Sequence, residues 1–471
     1  MSQDPGRGRL AVHAHFYQPL RIDPFTGTVP EDPSAAPFHD WNERIHAECY
    51  RSNAERGTLA HISFDLGPTL ASWMETADPA TYARWVDPAN VGAMAQAYHH
   101  TILPLASAAD RRTEIRWGLR DFELRFGRRA EGLWLPETAV DLPTLRILAE
   151  EGVRYTILAP WQTSDHGLDN RQPYRIELGG ELEITVVFYD EALSGAVSFE
   201  PAATADADRF ARERVATRLA GTDGLAVIAT DGELYGHHQQ FRDLFLQRLV
   251  APAPDVPDRG FDVAQLPLAV REPASEAFPM ARIAERTSWS CHHGVLRWSA
   301  ECPDASDGRW KGPLRAAFER LASAIDTVTE PLLAGLPGSP ALQAARDGYV
   351  DVVVGAEDAQ AFAGRWLGPT ATSESKASLL DLMEAQRWRL AMFASDGWYW
   401  DDPVRIETRQ CMRAAARAAR IVDARAGTIL ERRLLDDLVL LRSPSRGLDG
   451  ATIYRQALSE IGQPAPRWSN E

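Results

Sequence analysis

Short apolar runs that end in a polar residue and lead into helix-like stretches recur through the first two-thirds of the chain. The segment Leu10–His15 alternates apolar and polar side chains, as a strand does, and Pro19 ends it. The run Arg154–Pro160 follows a helix-like stretch that stops at Gly152, which predicts a strand–helix–strand unit in a parallel sheet. Counting the parallel candidates gives about seven strands, so we predict an incomplete (β/α)7 barrel rather than the usual eight-stranded form.

Two of these runs stop at a carboxylate. One ends at Glu137 and the other at Asp231, which is followed by Gly232 and Glu233. The loops after parallel strands meet on one open face of a barrel, so both carboxylates are expected there. One acid and one nucleophile are the minimum needed to cleave a glycosidic bond. The alternative for each residue alone is a structural one, as the N-cap of the following helix.

The neighbours of the two carboxylates favour the catalytic interpretation. Trp134 lies just before Glu137, and an aromatic platform beside a carboxylate suits a sugar ring. Gly232 allows the backbone to turn tightly and to hold Asp231 and Glu233 close together.

His13 and His15 lie two residues apart on the first strand. Strand alternation puts both side chains on the same side, where they could face the barrel interior. The same spacing also suits a metal site, which keeps a metalloenzyme possible. A third interpretation is a pair of hydrogen-bonded core histidines.

The remainder of the chain changes character after the barrel strands. From Arg282 to Trp310 there is little periodicity, and Trp289 and His292 are expected in a long loop near the active face, although a packing role fits the tryptophans as well. Beyond residue 310 the sequence is nearly all helical. We therefore predict a catalytic barrel domain over residues 1–309 and an α-helical domain over 310–471 that completes the active-site cleft.

An acidic and aromatic cluster lies inside the predicted helical domain. It contains Asp396, Trp398 and Trp400, and Gly397 marks a turn within it. Such a cluster fits a rim on which sugars stack, and it fits a plug that docks one domain on another equally well.

Charge and cysteine content narrow the function classes. The net charge of −16 argues against a nucleic-acid partner, because phosphates would repel such a surface, whereas neutral glucans would not. The N-terminal residues contain no apolar core of a signal peptide, and the apolar runs are too short to span a bilayer, so we expect no membrane partner. The four cysteines form no CxxC pair, which indicates neither a zinc knuckle nor a redox motif, and we do not expect a Cys291–Cys302 disulfide. A reducing, cytoplasmic setting is expected.

These motifs resemble those of glycoside hydrolase family 57. His13-Ala-His15 with Gln18-Pro19 is similar to the opening His-x-His-Gln-Pro motif, with two residues inserted. Trp134-Leu-Pro-Glu137 resembles the nucleophile motif, and Thr230-Asp231-Gly-Glu233-Leu-Tyr-Gly236 the acid motif. The segment Glu384 to Trp400 resembles the last motif, except that Trp398-Tyr-Trp400-Asp stands where the family usually has Trp-His-Gly. The helical tail resembles a subgroup whose C-terminal domain is uncharacterised.

The resemblance implies a (β/α)7 barrel, retaining chemistry on α-glucans, and no metal or organic cofactor. Glu137 would be the nucleophile and Asp231 the general acid/base, while His13 and His15 would line the subsite of the reacting sugar. The two departures from the motifs fall in regions that contact substrate, so they bear on specificity more than on mechanism. Hydrolysis, 4-α-glucanotransfer and branching all remain open, because they differ only in the acceptor.

The expected mechanism is double displacement, in which Glu137 forms a glycosyl ester and Asp231 acts first as acid and then as base. The charges of Glu137 and Glu233 are expected to raise the pKa of Asp231. Two other functions remain as alternatives. One is a metal-dependent deacetylase or mannosidase-like hydrolase that uses His13, His15 and Asp231 as ligands. The other is a glycan-binding protein without turnover.

Overall fold

The chain forms two compact units. A computed structural model describes residues 7–252, 254–255, 258–271, 278–304, 307–338 and 340–462. The first unit comprises Met1–Gln18, Trp41–Gln96 and Phe122–Trp289, and the second comprises Pro19–Asp40, Ala97–Asp121 and Ser290–Glu471. Each unit is thus built from separate stretches of chain. The predicted division between residues 309 and 310 stays a prediction.

The strands all lie in the first unit. In chain order they are β1 Arg9–Phe16, β2 Ser63–Leu66, β3 Ala93–Gln96, β4 Leu133–Trp134, β5 Tyr155–Leu158, β6 Tyr174–Glu177, β7 Glu183–Phe188, β8 Leu225–Asp231 and β9 Asp262–Val263. One sheet has the order β4-β3-β2-β1-β8, with β9 beside β1, and a second has the order β5-β7-β6. All strand pairings are parallel except that of β6 with β7, which form a hairpin around Gly179 and Gly180.

Isolated contacts connect the two sheets into a curved, interrupted barrel. Gly132, just before β4, forms a parallel bridge with Tyr155 at the start of β5. At the other junction the backbone N–H of Asp190, just after β7, donates to the carbonyl of Val227 in β8 at 2.7 Å. Going round these contacts, seven parallel strands follow in the order β8-β1-β2-β3-β4-β5-β7. The incomplete (β/α)7 barrel that the sequence predicts is therefore confirmed.

Helices follow most of the barrel strands. Those in the first unit are α1 Trp41–Ile45, α2 Arg51–Glu55, α3 Pro68–Ala77, α4 Pro79–Trp85, α6 Leu142–Glu150, α7 Glu191–Phe199, α8 Ala207–Phe210, α9 Ala216–Arg218, α10 Arg242–Val250 and α11 Leu266–Ala269. The helix α5, Ala108–Phe126, contains residues of both units. The N-caps of α6 and α7 are Asp141 and Asp190, whose side chains accept from backbone N–H groups of the first turn.

The second unit is helical in its described part. Its helices are α12 Lys311–Ala334, α13 Leu342–Gly348, α14 Val350–Val353, α15 Ala359–Leu367, α16 Ser373–Ala391, α17 Asp396–Tyr399, α18 Ile406–Ala426, α19 Leu430–Leu438 and α20 Gly450–Ser459. The alanine-rich α18 packs on α16 and α12, and it ends at Gly427, whose φ of 66° forms the left-handed cap typical of helix ends. The mostly α-helical C-terminal region is thus confirmed. None of the described helices is long and apolar enough to cross a membrane.

The register of the central strands decides which side chains meet at the carboxyl edge of the sheet. His15 in β1 lies opposite Asp65 in β2 on one side and opposite Asp231 in β8 on the other. The ends of β1, β2 and β8 therefore bring three ionisable side chains together at the edge where barrel enzymes carry their sites.

Candidate active site

Two histidines and an aspartate form the floor of the site at the ends of β1 and β2. The Nε2 atom of His13 lies 3.2 Å from Asp65 Oδ1, and Nδ1 of His15 lies 2.8 Å from Asp65 Oδ2. The other ring nitrogen of His13 lies 3.3 Å from the hydroxyl of Ser63. One carboxylate thus holds both imidazoles, which confirms that they share one side of the strand. Both nitrogens of His13 are engaged, so a metal ion could bind that ring only by breaking one of these contacts.

The two rings carry different charge because their surroundings differ. Burial lowers the pKa of His13, and this outweighs the attraction of Asp65. For His15 burial also acts downwards, but Asp65 together with Asp231 and Glu233 raises the pKa to about 9. The His15 imidazolium is therefore a fixed positive charge in the site at neutral pH. His13 is completely buried, whereas His15 is 6% exposed, so the expected direct contact with sugar is open to His15 alone.

Trp134 covers these histidines rather than offering a face to a ligand. Its ring stacks on His13 with centroids 4.7 Å apart and on His15 at 5.1 Å, and Trp289 packs edge-on against it at 4.9 Å. The side chain is completely buried. The expectation of a sugar platform at Trp134 is therefore wrong for this structure, because neighbouring rings already occupy its surface.

Glu137 lies in a strained turn directly after β4. It and Thr138 have φ values of 56° and 49°, in the left-handed region that residues with a Cβ rarely adopt. The amide of Gln162 holds the turn by accepting from the Thr138 hydroxyl and donating to its carbonyl, both at 2.8 Å. Strained backbone that its surroundings hold in place is concentrated at functional sites, because it fixes the direction of one side chain.

Trp289 holds the side chain of Glu137. Its indole N–H donates to Glu137 Oε2 at 3.1 Å, and its backbone N–H donates to the Glu137 carbonyl at 3.1 Å. The ring also meets His15 edge-on at 6.3 Å. Trp289 thus lies beside both a histidine of the floor and the strand-end carboxylate, and its half-buried ring lines the site. The sequence predicted its position near the active face but not this hydrogen bond.

Asp231 completes β8 beside His15. Its side chain is exposed, yet protein atoms surround the carboxyl closely enough that loss of water raises its pKa. His15 and His238 oppose this rise, and Asp65 adds to it. The raised pKa agrees with the sequence analysis, but its cause does not. Burial and Asp65 are responsible, and Glu137 and Glu233, the charges we expected to act, are not among the causes.

Glu233 lies behind Asp231 in a buried hydrogen-bond chain. Its Oε1 atom accepts from the Tyr50 hydroxyl at 2.6 Å and from the backbone N–H of Tyr17 at 3.3 Å, while the amide of Gln18 donates to the Tyr50 hydroxyl at 2.9 Å. Burial raises the pKa of Glu233 to about 7; the Tyr50 hydrogen bond opposes the rise and Asp231 adds to it. Gln18 and Glu233 are 5% and 7% exposed, so both shape the site mainly from behind.

Gly232 separates the two acids for a steric reason. The φ of Gly232 is not positive, so the tight turn expected from the sequence is not the reason for a glycine at this position. A Cβ there would overlap the ring of Phe16. The glycine allows the strand end to lie directly against this ring.

Four further predicted substrate contacts belong to the second unit. Trp398 is completely buried between the rings of Phe318 and Phe393, so the prediction that it stacks on sugar is wrong, because core packing uses the whole ring. Trp400 is 41% exposed, and the guanidinium of Arg405 lies 4.2 Å from its ring centroid. Asp396 begins α17 and is half-buried, and His292 is exposed. Substrate contact by Asp396, His292 and Trp400 stays a prediction.

Two residues of the site were missed by sequence reasoning. Asp65 follows the apolar run that ends at Phe64, so the strand-end rule that selected Glu137 and Asp231 could have selected it. Tyr50 carries no such signal, because it lies in a continuous helical stretch and reaches Glu233 only through the tertiary fold.

Comparison with known proteins agrees with this architecture. Residues 72–259 match Glycosyl hydrolase family 57, and residues 307–461 match a domain of unknown function, DUF3536. An α-amylase from Pyrococcus abyssi is 25% identical over 181 residues, which cover 37% of this chain and 27% of that protein. A 4-α-glucanotransferase from Thermococcus litoralis is 30% identical over 107 residues, or 22% of this chain and 16% of that protein. The chain thus spans about a quarter or less of the length of these curated relatives.

A solved structure extends the likeness in fold over nearly the whole chain. An exo-type maltose-forming amylase from Pyrococcus sp. ST04 aligns with a TM-score of 0.70 at 14% identity, covering 96% of this chain and 88% of that one. This likeness shows a shared fold, a seven-stranded barrel followed by helices. Within that fold, the chain is similar to glycosyl hydrolase family 57 over residues 72–259 and to DUF3536 over residues 307–461.

Proposed function

We propose that this chain is a retaining glycoside hydrolase or transglycosylase that acts on α-glucans. The observation that carries the proposal is the pair of carboxylates around His15. Asp231 lies opposite this residue in the strand pairing, and Glu137 is held by Trp289, which contacts the same imidazole. The match of residues 72–259 to glycosyl hydrolase family 57 and the two named relatives, an α-amylase and a 4-α-glucanotransferase, support α-glucan as the substrate class.

The proposed first half-reaction assigns a different state to each carboxylate. Glu137 attacks the anomeric carbon as a carboxylate, and the indole N–H of Trp289 favours that charged form. Asp231 begins protonated, which its raised pKa favours, and gives its proton to the glycosidic oxygen as the bond to the anomeric carbon breaks. The products are a glycosyl ester on Glu137 and a released sugar hydroxyl. For this geometry the two carboxyl groups must lie about 5–5.5 Å apart when substrate is bound.

In the second half-reaction Asp231 acts as base. It takes a proton from water, or from the hydroxyl of a second glucan, while that oxygen attacks the anomeric carbon and Glu137 departs as a carboxylate. Water gives hydrolysis, and a sugar hydroxyl gives transfer or branching. The positive charge of His15 stabilises Asp231 as a carboxylate in this second half-reaction. A cytoplasmic setting, where storage glucans would be the substrate, stays a prediction.

The test is incubation of the wild-type chain and Glu137→Ala with a maltooligosaccharide series and with amylose, with chromatography of the products. We expect shorter sugars from a hydrolase or a ladder of longer ones from a transferase, and less than about a thousandth of that rate from Glu137→Ala. Glu55→Ala, at an exposed glutamate that ends α2, is the matched control and should keep full activity. Azide should restore turnover to Glu137→Ala by forming a glycosyl azide, because it occupies the place of the missing nucleophile.

A second comparison separates Asp231 from Glu233 as the acid. Asp231→Asn should lose about 10²–10⁴-fold on maltooligosaccharides. It should lose little in the first step on an aryl glucoside whose leaving group needs no proton. Glu233→Gln should not show this dependence on the leaving group. If Glu233→Gln shows it and Asp231→Asn does not, the roles are exchanged; if wild type leaves every glucan unchanged, the proposed substrate is wrong.

A further inference from the structure

Four side chains of the second unit that the proposed function does not use converge in the loop between Ser290 and α12. They are Cys291, His293, Cys302 and Asp304, and each offers one ligand atom. These four atoms all lie within 4.8 Å of one another. In the sequence they form a Cys-x-His pair and a Cys-x-Asp pair, with the two cysteines 11 residues apart. They contain no CxxC pair, because each cysteine has a neighbouring ligand of another type.

The local fold gives the cluster a buried and an open side. Cys291 and Cys302 are 5% and 1% exposed, whereas His293 and Asp304 are exposed. A turn closed by the Gly294 N–H on the Cys291 carbonyl at 3.0 Å lies at the first pair. The thiols thus form the inner half of the group, and the imidazole and carboxylate form a lid that solvent, and an ion, can reach.

Four of the six distances between the ligand atoms are close to the edges of a zinc tetrahedron. The two Sγ atoms lie 3.4 Å apart, Cys302 Sγ lies 3.7 Å from His293 Nδ1, Cys291 Sγ lies 3.5 Å from Asp304 Oδ2, and His293 Nδ1 lies 3.1 Å from the same Oδ2. Tetrahedral bonds of about 2.3 Å to sulfur and about 2.0–2.1 Å to nitrogen or oxygen give edges of about 3.8, 3.5, 3.5 and 3.3 Å in that order. These four edges differ from a tetrahedron by only a few tenths of an ångström, and the remaining two ligand-atom distances are no more than 4.8 Å.

We propose that Cys291, His293, Cys302 and Asp304 bind one zinc ion as a closed tetrahedral site. Two thiolates, an imidazole and a carboxylate are the donors that Zn²⁺ prefers, and all four positions are then filled by protein, as in structural rather than catalytic sites. Binding releases the two thiol protons to solvent. The ion ties the turn at Cys291 to the segment at Asp304, and so closes the loop within the second unit.

A buried lysine of the second unit agrees with this assignment. Lys311, the first residue of α12, is completely buried, and its Nζ atom has no hydrogen-bond partner among the described residues. Burial lowers its pKa to about 8, with Arg297 adding to the fall, while Asp401, Cys302 and Cys291 act in the opposite direction. Two thiolates and a carboxylate around a doubly charged ion carry one negative charge in excess. Such a group would compensate the ammonium, whereas two neutral thiols would not.

The competing state of these cysteines is a disulfide. A bonded pair has its sulfurs about 2.05 Å apart, and the observed 3.4 Å is closer to the edge of a metal tetrahedron. A disulfide would also leave His293 and Asp304 without the role that their convergence on the two thiols suggests. Zinc content and the mass of the cysteine peptides distinguish the disulfide from the zinc site.

The experiment measures zinc in the full chain, purified under reducing conditions, by plasma mass spectrometry. We expect about one zinc ion per chain in wild type and a loss of affinity of more than about 100-fold in Cys302→Ser, since even outer partners of a zinc site contribute about 10–100-fold. Cys411→Ser removes a buried thiol outside the cluster and should leave the zinc content unchanged, as should His292→Ala, the histidine adjacent to His293. Cobalt added to zinc-depleted wild type should give the visible bands of tetrahedral Co²⁺ and a thiolate charge-transfer band.

Each outcome decides for or against the site. Wild type that holds no zinc after reduction and incubation with Zn²⁺, and gives no tetrahedral cobalt spectrum, overturns the proposal. So does a peptide mass that shows Cys291 and Cys302 joined in the reduced-handled protein. If Cys302→Ser fails to fold, Asp304→Asn together with the cobalt spectrum of wild type decides, because the exposed carboxylate can be changed without disturbing the buried thiols.

Discussion

At the scale of single residues, the site depends on hydrogen bonds that fix charge rather than on the ionisable groups alone. Asp65 holds two imidazoles, Trp289 holds Glu137, and Tyr50 holds Glu233. Each of these three partners acts on the site through the position of its hydrogen-bonding atoms. Substitutions that remove one polar atom and keep the shape are therefore the informative ones.

Trp289→Phe should slow the reaction without unfolding the barrel. The ring contact with Trp134 is largely kept, but Glu137 loses the indole donor, and a hydrogen bond to a charged group contributes about 1.5–3 kcal/mol. We expect kcat/KM to fall about 10–100-fold, measured on maltooligosaccharides. Trp161→Phe is the matched control, because its indole donates to the backbone carbonyl of Ser288 instead. Equal losses in the two variants would contradict a specific role for Trp289.

Glu233→Gln should stabilise the fold above neutral pH. The folded-state pKa of about 7 lies above the ordinary value of 4.5, so folded protein holds the proton more tightly, and stability is lost as pH rises from about 4.5 through about 7. Glutamine keeps the acceptor for Tyr50 and carries no charge. Thermal unfolding should show a higher Tm for the variant at pH 8, by about 2–4 °C for each kcal/mol, and almost no difference at pH 4, below the ordinary value of 4.5. An equal gain at both pH values would indicate a packing effect instead.

At the scale of elements, the site lies at the strand ends because the pairing of β8 with β1 places their terminal side chains next to each other. The register that sets His15 opposite Asp231 is shared over seven residue pairs, and Gly232, directly after the strand, lies against Phe16. The turn after β4 is the opposite case, since its strained residues depend on Gln162 and Trp289 from elsewhere in the unit. One strand end is thus positioned by its own sheet and the other by tertiary contacts.

Gly232→Ala should destabilise the barrel by overpacking. The added Cβ overlaps the Phe16 ring, which itself packs against Tyr50 and Trp85, and such insertions cost about 1–3 kcal/mol. Adding Phe16→Leu should recover part of that loss, because the clash partner becomes smaller. Chemical denaturation of the two single variants and the double variant measures the coupling. Strictly additive effects would show that the clash does not limit stability.

At the scale of the whole molecule, the chain has two units with separate chemistry. The first carries the barrel and the strand-end carboxylates, and the second carries the proposed zinc cluster. The net charge of −16 disfavours phosphate-bearing polymers and does not affect binding of a neutral glucan, and the exclusion of nucleic acid stays a prediction. The second unit also includes segments 19–40 and 97–121, so each unit is built from stretches that are distant in the sequence, and the predicted boundary at 310 stays a prediction.

Local sequence patterns were sufficient to predict the barrel class and the carboxylates at the strand ends. Period-two strands, helix-like stretches and short links are local patterns, and a carboxylate that follows a strand can be identified from the sequence alone. Strand alternation alone also predicts that His13 and His15 share one face of the strand.

The burial of side chains and the contacts between residues distant in the sequence follow from the tertiary structure alone. Trp134 and Trp398 look like sugar platforms in sequence, but neighbouring rings cover them, and burial is a property of packing that no local pattern encodes. The partners that tune the site, such as Tyr50 beside Glu233, lie more than 180 residues apart in the chain. The four proposed zinc ligands likewise form a site only because a loop folds back on itself. Long-range contacts of this kind depend on the whole fold, and so the sequence alone could not show them.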